Sequence, residues 1–185
     1  SLRRDGTSRF SPDTRWGLFP AAAVAVKVIE NDRTHFDNLK LRIGWGITGQ
    51  QDIGNDYYAY LARYQLGNES ARYQFGDEFI TTLRPNGYDA GIKWEETATL
   101  NLGADVSFIR GRLSSTIDVY QRNTKDLLNR IPVPAGTNLT NFVTTNVGKK
   151  ETKGDELGLY VTPVLTEKVS WDLGANFAYN KSEIT

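Results

Sequence analysis

The chain has 185 residues, with 22 basic and 22 acidic side chains, one histidine and no cysteine. A formal charge of zero removes the basic field that nucleic-acid binding needs. The lack of cysteine removes disulfides and thiolate metal sites. The length suffices for one domain with a sizeable core.

Alternation of polar and apolar residues predicts seven strands, because successive strand side chains point to opposite faces. The first, Ser1 to Phe10, is weakly patterned. The second runs from about Leu18 to Ile29, with Ala22, Val24, Val26 and Val28 on one face. In the third, Asn38 to Thr48, Leu39, Leu41, Ile43, Trp45 and Ile47 alternate with Lys40, Arg42, Gly44 and Gly46. The fourth, from about Lys93 to Phe108, sets Ala98, Leu100, Leu102, Ala104 and Val106 against Thr99, Asn101, Gly103 and Asp105. The fifth places Leu113, Ser115, Ile117 and Val119 opposite Ser114, Thr116, Asp118 and Tyr120. The sixth spans about Lys153 to Leu165. The seventh alternates Val169, Trp171, Leu173, Ala175, Phe177 and Tyr179 with Ser170, Asp172, Gly174 and Asn176.

These runs are long enough to cross a bilayer, since a tilted transmembrane strand needs about 9–11 residues, whereas soluble strands peak near 5–6. No apolar run approaches the roughly 20 residues of a spanning helix; Ala21 to Val26 stops at Lys27. The connections are uneven. Only I-R-G-R separates strands four and five, and only T-E-K separates six and seven, while Gly49 to Ile92 and about Leu127 to Thr152 are long. In an up-and-down sheet the long loops then gather at one end, as in outer-membrane barrels with short periplasmic turns and long extracellular loops. The expectation is an all-β antiparallel meander of about seven long strands, part of a transmembrane β-barrel. Arg110-Gly111-Arg112 and Thr166-Glu167-Lys168 would face the periplasm, and the tyrosine-rich loop the outside. A soluble β-sandwich, read as a carbohydrate-binding or adhesion module, is the alternative, because its strands alternate too.

No catalytic constellation is present, so the chain is read as no enzyme, with no cofactor and no metal. His35 is the sole histidine, in a polar stretch, and is read as a solvated loop residue. Glu95-Glu96 and Asp155-Glu156 are adjacent pairs, which a strand sends to opposite faces. G-K-K-E-T-K-G lacks P-loop spacing. Three sequons, at Asn68, Asn138 and Asn180, would be chance matches if the chain is part of a bacterial outer-membrane barrel. Tyr57, Tyr58, Tyr60, Tyr64, Tyr73 and Phe75 crowd the long loop. They are the candidate substrate or partner contacts, to be weighed against plain loop packing. Trp94, Phe108, Trp171 and Tyr179 lie near strand ends, where interfacial aromatic girdles are expected.

Seven stretches in order resemble one family. They are L-R-R-D-G-T-S-R-F-S-P-D-T-R-W-G-L-F-P-A (Leu2 to Ala21), L-K-L-R-I-G-W-G-I-T-G-Q-Q-D-I-G (Leu39 to Gly54) and K-W-E-E-T-A-T-L-N-L-G-A-D (Lys93 to Asp105). D-V-Y-Q-R-N-T-K-D-L-L (Asp118 to Leu128), I-P-V-P-A-G-T (Ile131 to Thr137), N-V-G-K-K-E-T-K-G-D-E-L (Asn146 to Leu157) and W-D-L-G-A-N-F-A-Y-N-K-S (Trp171 to Ser182) follow. Together they resemble the SusC/RagA-type, TonB-linked outer-membrane proteins. Only the loop from about Asp56 to Asn86 lies outside the resemblance. It implies a barrel of about 22 strands around a plug, so residues 1–185 are expected to be an internal fragment of the barrel domain, lacking the plug and the C-terminal strands. It further implies uptake of oligosaccharides or peptides at the outer membrane of a Gram-negative bacterium. The implied partners are a SusD-like lipoprotein lid, the TonB complex acting through the plug, and outer-membrane lipid.

Overall fold

The computed structural model describes residues 1–30, 36–134 and 140–185. His35 and Asn138 lie outside the described residues. The strands are β1 (Leu2–Gly6), β2 (Trp16–Glu30), β3 (Phe36–Gln50), β4 (Tyr64–Leu66), β5 (Arg72–Phe75), β6 (Glu78–Thr81), β7 (Leu83–Pro85), β8 (Glu95–Phe108), β9 (Leu113–Lys125), β10 (Leu128–Pro132), β11 (Phe142–Asn146), β12 (Lys149–Leu165) and β13 (Ser170–Ile184). Seven of them form one antiparallel sheet in the order β1-β2-β3-β8-β9-β12-β13, an up-and-down meander. The expected seven strands are all there; β1 is shorter than expected, and β2, β3 and β12 are longer.

The register sorts the side chains onto two faces. Leu41 lies opposite Ala104, which lies opposite Ile117, which lies opposite Leu157, itself paired with Phe177. That row is apolar from β3 to β13. One residue along, Lys40 faces Asp105 and Asp105 faces Thr116. Because the period is two, this polar row belongs to the other face. Among the described residues nothing covers the apolar face: Val24, Leu102 and Leu173 are 60%, 49% and 45% exposed. A soluble sandwich buries that face under a second sheet. The bare face is unlike a self-contained sandwich and suits a sheet whose apolar side is solvated by lipid.

The polar face carries a charge cluster at mid-sheet. The Arg42 guanidinium donates to Asp118 at 2.9 Å and lies 2.9 Å from Asp105, bridging β3, β8 and β9. It crosses directly over Gly103, where a Cβ would sit 2.8 Å from its Cζ. Glycine at 103 is thus the gap through which the cation reaches both carboxylates. All three groups are only partly exposed, so the pairing offsets a real desolvation cost.

The two ends of the sheet differ. At one end β8 turns into β9 through Ile109–Arg112, and β12 into β13 through residues 166–169. In the first turn Ile109, Arg110 and Gly111 all have left-handed backbones, with φ of 57°, 57° and 75°. A β-branched residue there is a strained exception. Asp37 of β3 fastens the turn by accepting from the Gly111 amide at 2.7 Å. At the opposite end lie the connections 7–15, 51–94 and 126–148. The two longest connections carry strands of their own. Residues 51–94 contain two small ladders, β5 with β6 and, outside it, β4 with β7, and residues 126–148 contain β10 with β11.

Candidate functional site

The loop end holds the described residues' buried hydrophobic core, and it is small. Phe10, Phe19, Ala59, Ile92 and Trp94 pack together, with Ile47, Ile53, Tyr60 and Leu128 against them. Trp94 meets Phe10 and Phe19 edge-on, with ring centroids 5.7 and 5.3 Å away. Its indole N–H donates to the Arg15 carbonyl at 3.0 Å. The Thr14 hydroxyl donates to the Ile92 carbonyl at 2.7 Å. Trp94 is therefore no interfacial girdle residue. It is buried because a strand-end tryptophan on the side the loops cover is enclosed by them, and proximity to a strand end carries no information on that. Phe108 packs against Phe36 at the other end, 4.9 Å between centroids, while Trp171 and Tyr179 are exposed on β13.

The two longest loops are fastened to one another by a series of side chains. Asn146 grips Lys93 with both ends of its amide: its oxygen accepts from the Lys93 amide at 2.8 Å and its nitrogen donates to the Lys93 carbonyl at 2.9 Å. The same nitrogen also donates to the Asp126 carbonyl at 2.7 Å. Buried Thr144 donates to Asp56 at 2.7 Å, and Thr145 donates to Asp89. Glu95 accepts from the Leu128 amide at 3.0 Å, while Glu96 pairs with Lys125 at 2.9 Å. That adjacent pair diverges as expected and forms no acid/base couple.

Between these loops lies a cleft of about 810 Å³. One wall is the β4–β7 ladder with Gln65, Arg84 and Asn86. The other is the β10–β11 ladder with Asn129, Arg130, Asn141 and Phe142. The floor is Asp52 to Asp56. The walls touch at Gly87, where a Cβ would collide with the Phe142 carbonyl. Polar groups dominate the lining. Arg63 pairs with Asp56 at 2.9 Å, so one carboxylate holds a cation and the Thr144 hydroxyl together. Arg130 lies over the Phe142 ring, 4.7 Å from its centroid. With the Gln65 amide oriented as its neighbours require, its oxygen accepts from Arg84 at 2.7 Å and its nitrogen donates to Asn86 at 3.0 Å. At the edge of the floor Asp52 accepts from the Gly54 amide at 3.0 Å and pairs with Arg9 at 3.0 Å. The Gly54 amide first, and Arg9 second, hold its carboxyl below the usual carboxylate range.

None of the six expected aromatic residues lines this cleft. Tyr57 lies beneath Arg9, 5.2 Å from ring to guanidinium carbon. Tyr58, whose φ is 63°, sits 6.3 Å from Tyr60, and Tyr60 packs on the buried core. Tyr64 on β4 and the Tyr73–Phe75 pair on β5 are 71%, 59% and 67% exposed. Of the six, only Tyr60 packs on the buried core; the other five are exposed. What sequence reading missed is the arginine–amide cleft, assembled from short segments around residues 52–65, 84–87 and 128–144.

Comparison with known proteins fits this architecture. The family model described as "TonB dependent receptor-like, beta-barrel" matches residues 1–185. The chain is 46% identical over 189 residues to the TonB-dependent receptor SusC of Bacteroides thetaiotaomicron, covering all of this chain and 19% of that protein. A TonB-dependent receptor of Formosa agariphila is 37% identical over 188 residues, again across the whole chain and 17% of the relative. The structure of the RagAB peptide transporter superposes with a TM-score of 0.83 at 26% identity, covering all of this chain and 20% of that one. The chain therefore spans about a fifth of the length of the proteins it matches.

Proposed function

Because the chain belongs to the TonB-dependent receptor β-barrel family, whose members are outer-membrane transporters and not enzymes, we propose that it forms part of the wall and mouth of an importer of oligosaccharides or peptides in a Gram-negative outer membrane. The observation that carries this reading is the pairing of a bare apolar face with a charged opposite face, crowned at one end by a polar cleft. In this reading the apolar row contacts lipid and Arg42, Asp105 and Asp118 face the interior, as in barrels with a polar lumen. The loop end faces outward and the Ile109–Arg112 turn faces the periplasm. The matched relatives are about five times as long as this chain, and in this reading the corresponding remainder supplies the other strands and the plug on which TonB acts.

A SusD-like surface lipoprotein closes the mouth. The exposed Tyr64, Tyr73 and Phe75 are its contacts, and Tyr57 and Tyr58 border the substrate path, with Tyr60 holding the loop in place. Aromatic side chains that stand free of their own fold are well suited to partner surfaces. The test is uptake of labelled oligosaccharide and peptide pools by cells with and without the intact protein, and with and without TonB. Import should vanish equally in both deletions. Unchanged import in either would overturn the proposal. The lid assignment is checked by copurification: replacing Tyr64, Tyr73 and Phe75 with Ser should release the lipoprotein while leaving barrel abundance intact.

A further inference from the structure

We propose that the cleft between the β4–β7 and β10–β11 ladders is a subsite for acidic oligosaccharides, with Arg84 and Arg130 holding a sugar carboxylate. Three arginines line the cleft, and they differ in one respect. Arg63 is neutralised by Asp56, 2.9 Å away. Arg84 and Arg130 have no acidic partner among the described residues: Arg84 contacts the neutral Gln65 amide, and Arg130 an aromatic ring. The carboxylates of the floor are already engaged, Asp56 by Arg63 and Thr144, and Asp52 by Arg9 and the Gly54 amide. The two arginines therefore present uncompensated positive charge in a concave space of about 810 Å³. A guanidinium pairs with a carboxylate through two parallel hydrogen bonds and so fixes orientation as well as charge.

The rest of the lining selects the class of acid. Asn55 and Asn141 offer a donor and an acceptor each, and Asn86 and Asn129, whose oxygens are taken by Gln65 and the Arg130 amide, still offer amide donors, which suits a ligand dense in hydroxyl groups. Phe142 adds one ring, and Pro85 and Ile53 add little further apolar surface. A chain of uronic acids matches this lining: hydroxyls for the amides and a carboxylate on each sugar for the arginines. The inference refines the import reading by naming a substrate class. It rests on that reading only for what happens after binding.

Binding to the purified intact protein in detergent tests it, by calorimetry with tetragalacturonate, maltotetraose and tetraglutamate as probes. Tetragalacturonate should bind at least tenfold more tightly than maltotetraose, and its affinity, unlike that of maltotetraose, should fall steeply between 50 and 500 mM salt, on general electrostatic grounds. Arg84→Gln and Arg130→Gln should each weaken tetragalacturonate about tenfold or more, from loss of a charge-assisted contact, and leave maltotetraose unchanged. Glu167→Gln, at the opposite end of the sheet, should change nothing. Equal affinity for the charged and neutral sugars, or no response to either arginine substitution, would overturn the assignment. The salt series on the unmodified protein decides the matter if a variant fails to assemble. Tighter binding of tetraglutamate than tetragalacturonate would also overturn it, in favour of an acidic peptide. Normal tetragalacturonate binding without TonB-dependent uptake would uphold the subsite and overturn the import reading alone.

Discussion

At the scale of single residues, facing decides which charges the sheet tolerates. Ile117 lies in the apolar row between Ala104 and Leu157, whereas its neighbour Thr116 lies between Asp105 and Gly158 on the polar face. A cationic side chain at the bilayer midplane costs about 2–4 kcal/mol. Ile117→Arg should therefore sharply reduce assembled barrel in the intact protein, while Thr116→Arg, beside a carboxylate and over a glycine, should assemble normally. Heat-modifiable mobility on gels reads both, and equal loss from both substitutions would refute the register. Asp118 is a poorer control than Thr116, because it is already committed to Arg42. Gly103→Val makes a second test. The added carbons would displace Arg42 from between Asp105 and Asp118, at the roughly 1–3 kcal/mol typical of overpacking. The unfolding temperature of the purified barrel should drop, and it should stay unchanged if the cluster is incidental. At the floor of the cleft, Asp52 titrates below the normal carboxylate range. Its link to Arg9 is consequently complete above the ordinary carboxylate pKa and is lost only as pH falls through the lowered value.

Among the elements, the division was between long strands and short ones. β8 and β13 were legible because strands of fourteen and fifteen residues alternate over most of their length, which leaves little room for another period. The three-residue β4 and β7 cannot show a period, and their pairing, Tyr64 with Pro85, joins segments separated by another hairpin. One local signal was available: R-Y-Q-F and E-F-I-T flank the dipeptide Gly76-Asp77, a two-residue turn with Gly76 at φ 60°. The cleft was not legible, because Arg84 and Arg130 come together only through the pairing of loops with loops. Trp94 was misread for the same reason. The nested hairpin yields the prediction at this scale. Replacing Arg72–Thr81 by a short glycine linker should leave surface abundance unchanged, since β4 and β7 can close over it and loop length costs little free energy. Substrate uptake should fall. Unchanged growth on the substrate would reduce the hairpin to ordinary packing.

For the whole molecule the separation of short turns from long connections is the testable property. Cysteines at Asn68 and Tyr73 should react with an impermeant thiol reagent on intact cells, and cysteines at Gly111 and Glu167 should not. The absence of native cysteine from these residues keeps the background low within this region. Labelling at position 111 would invert the orientation. The fastening of the two long loops, through Asn146 on Lys93, Thr144 on Asp56 and Thr145 on Asp89, has a consequence for how such a mouth changes over time. Neither loop can be exchanged alone without stranding the hydrogen-bonding groups of the other, two of them in Asp56 and Asp89. The residues from 51 to 94 and from 126 to 148 therefore behave as a single inheritable cassette. Chimeras that transplant both together should retain a closed, ordered mouth, whereas those that transplant one should gape, however well their strands are joined.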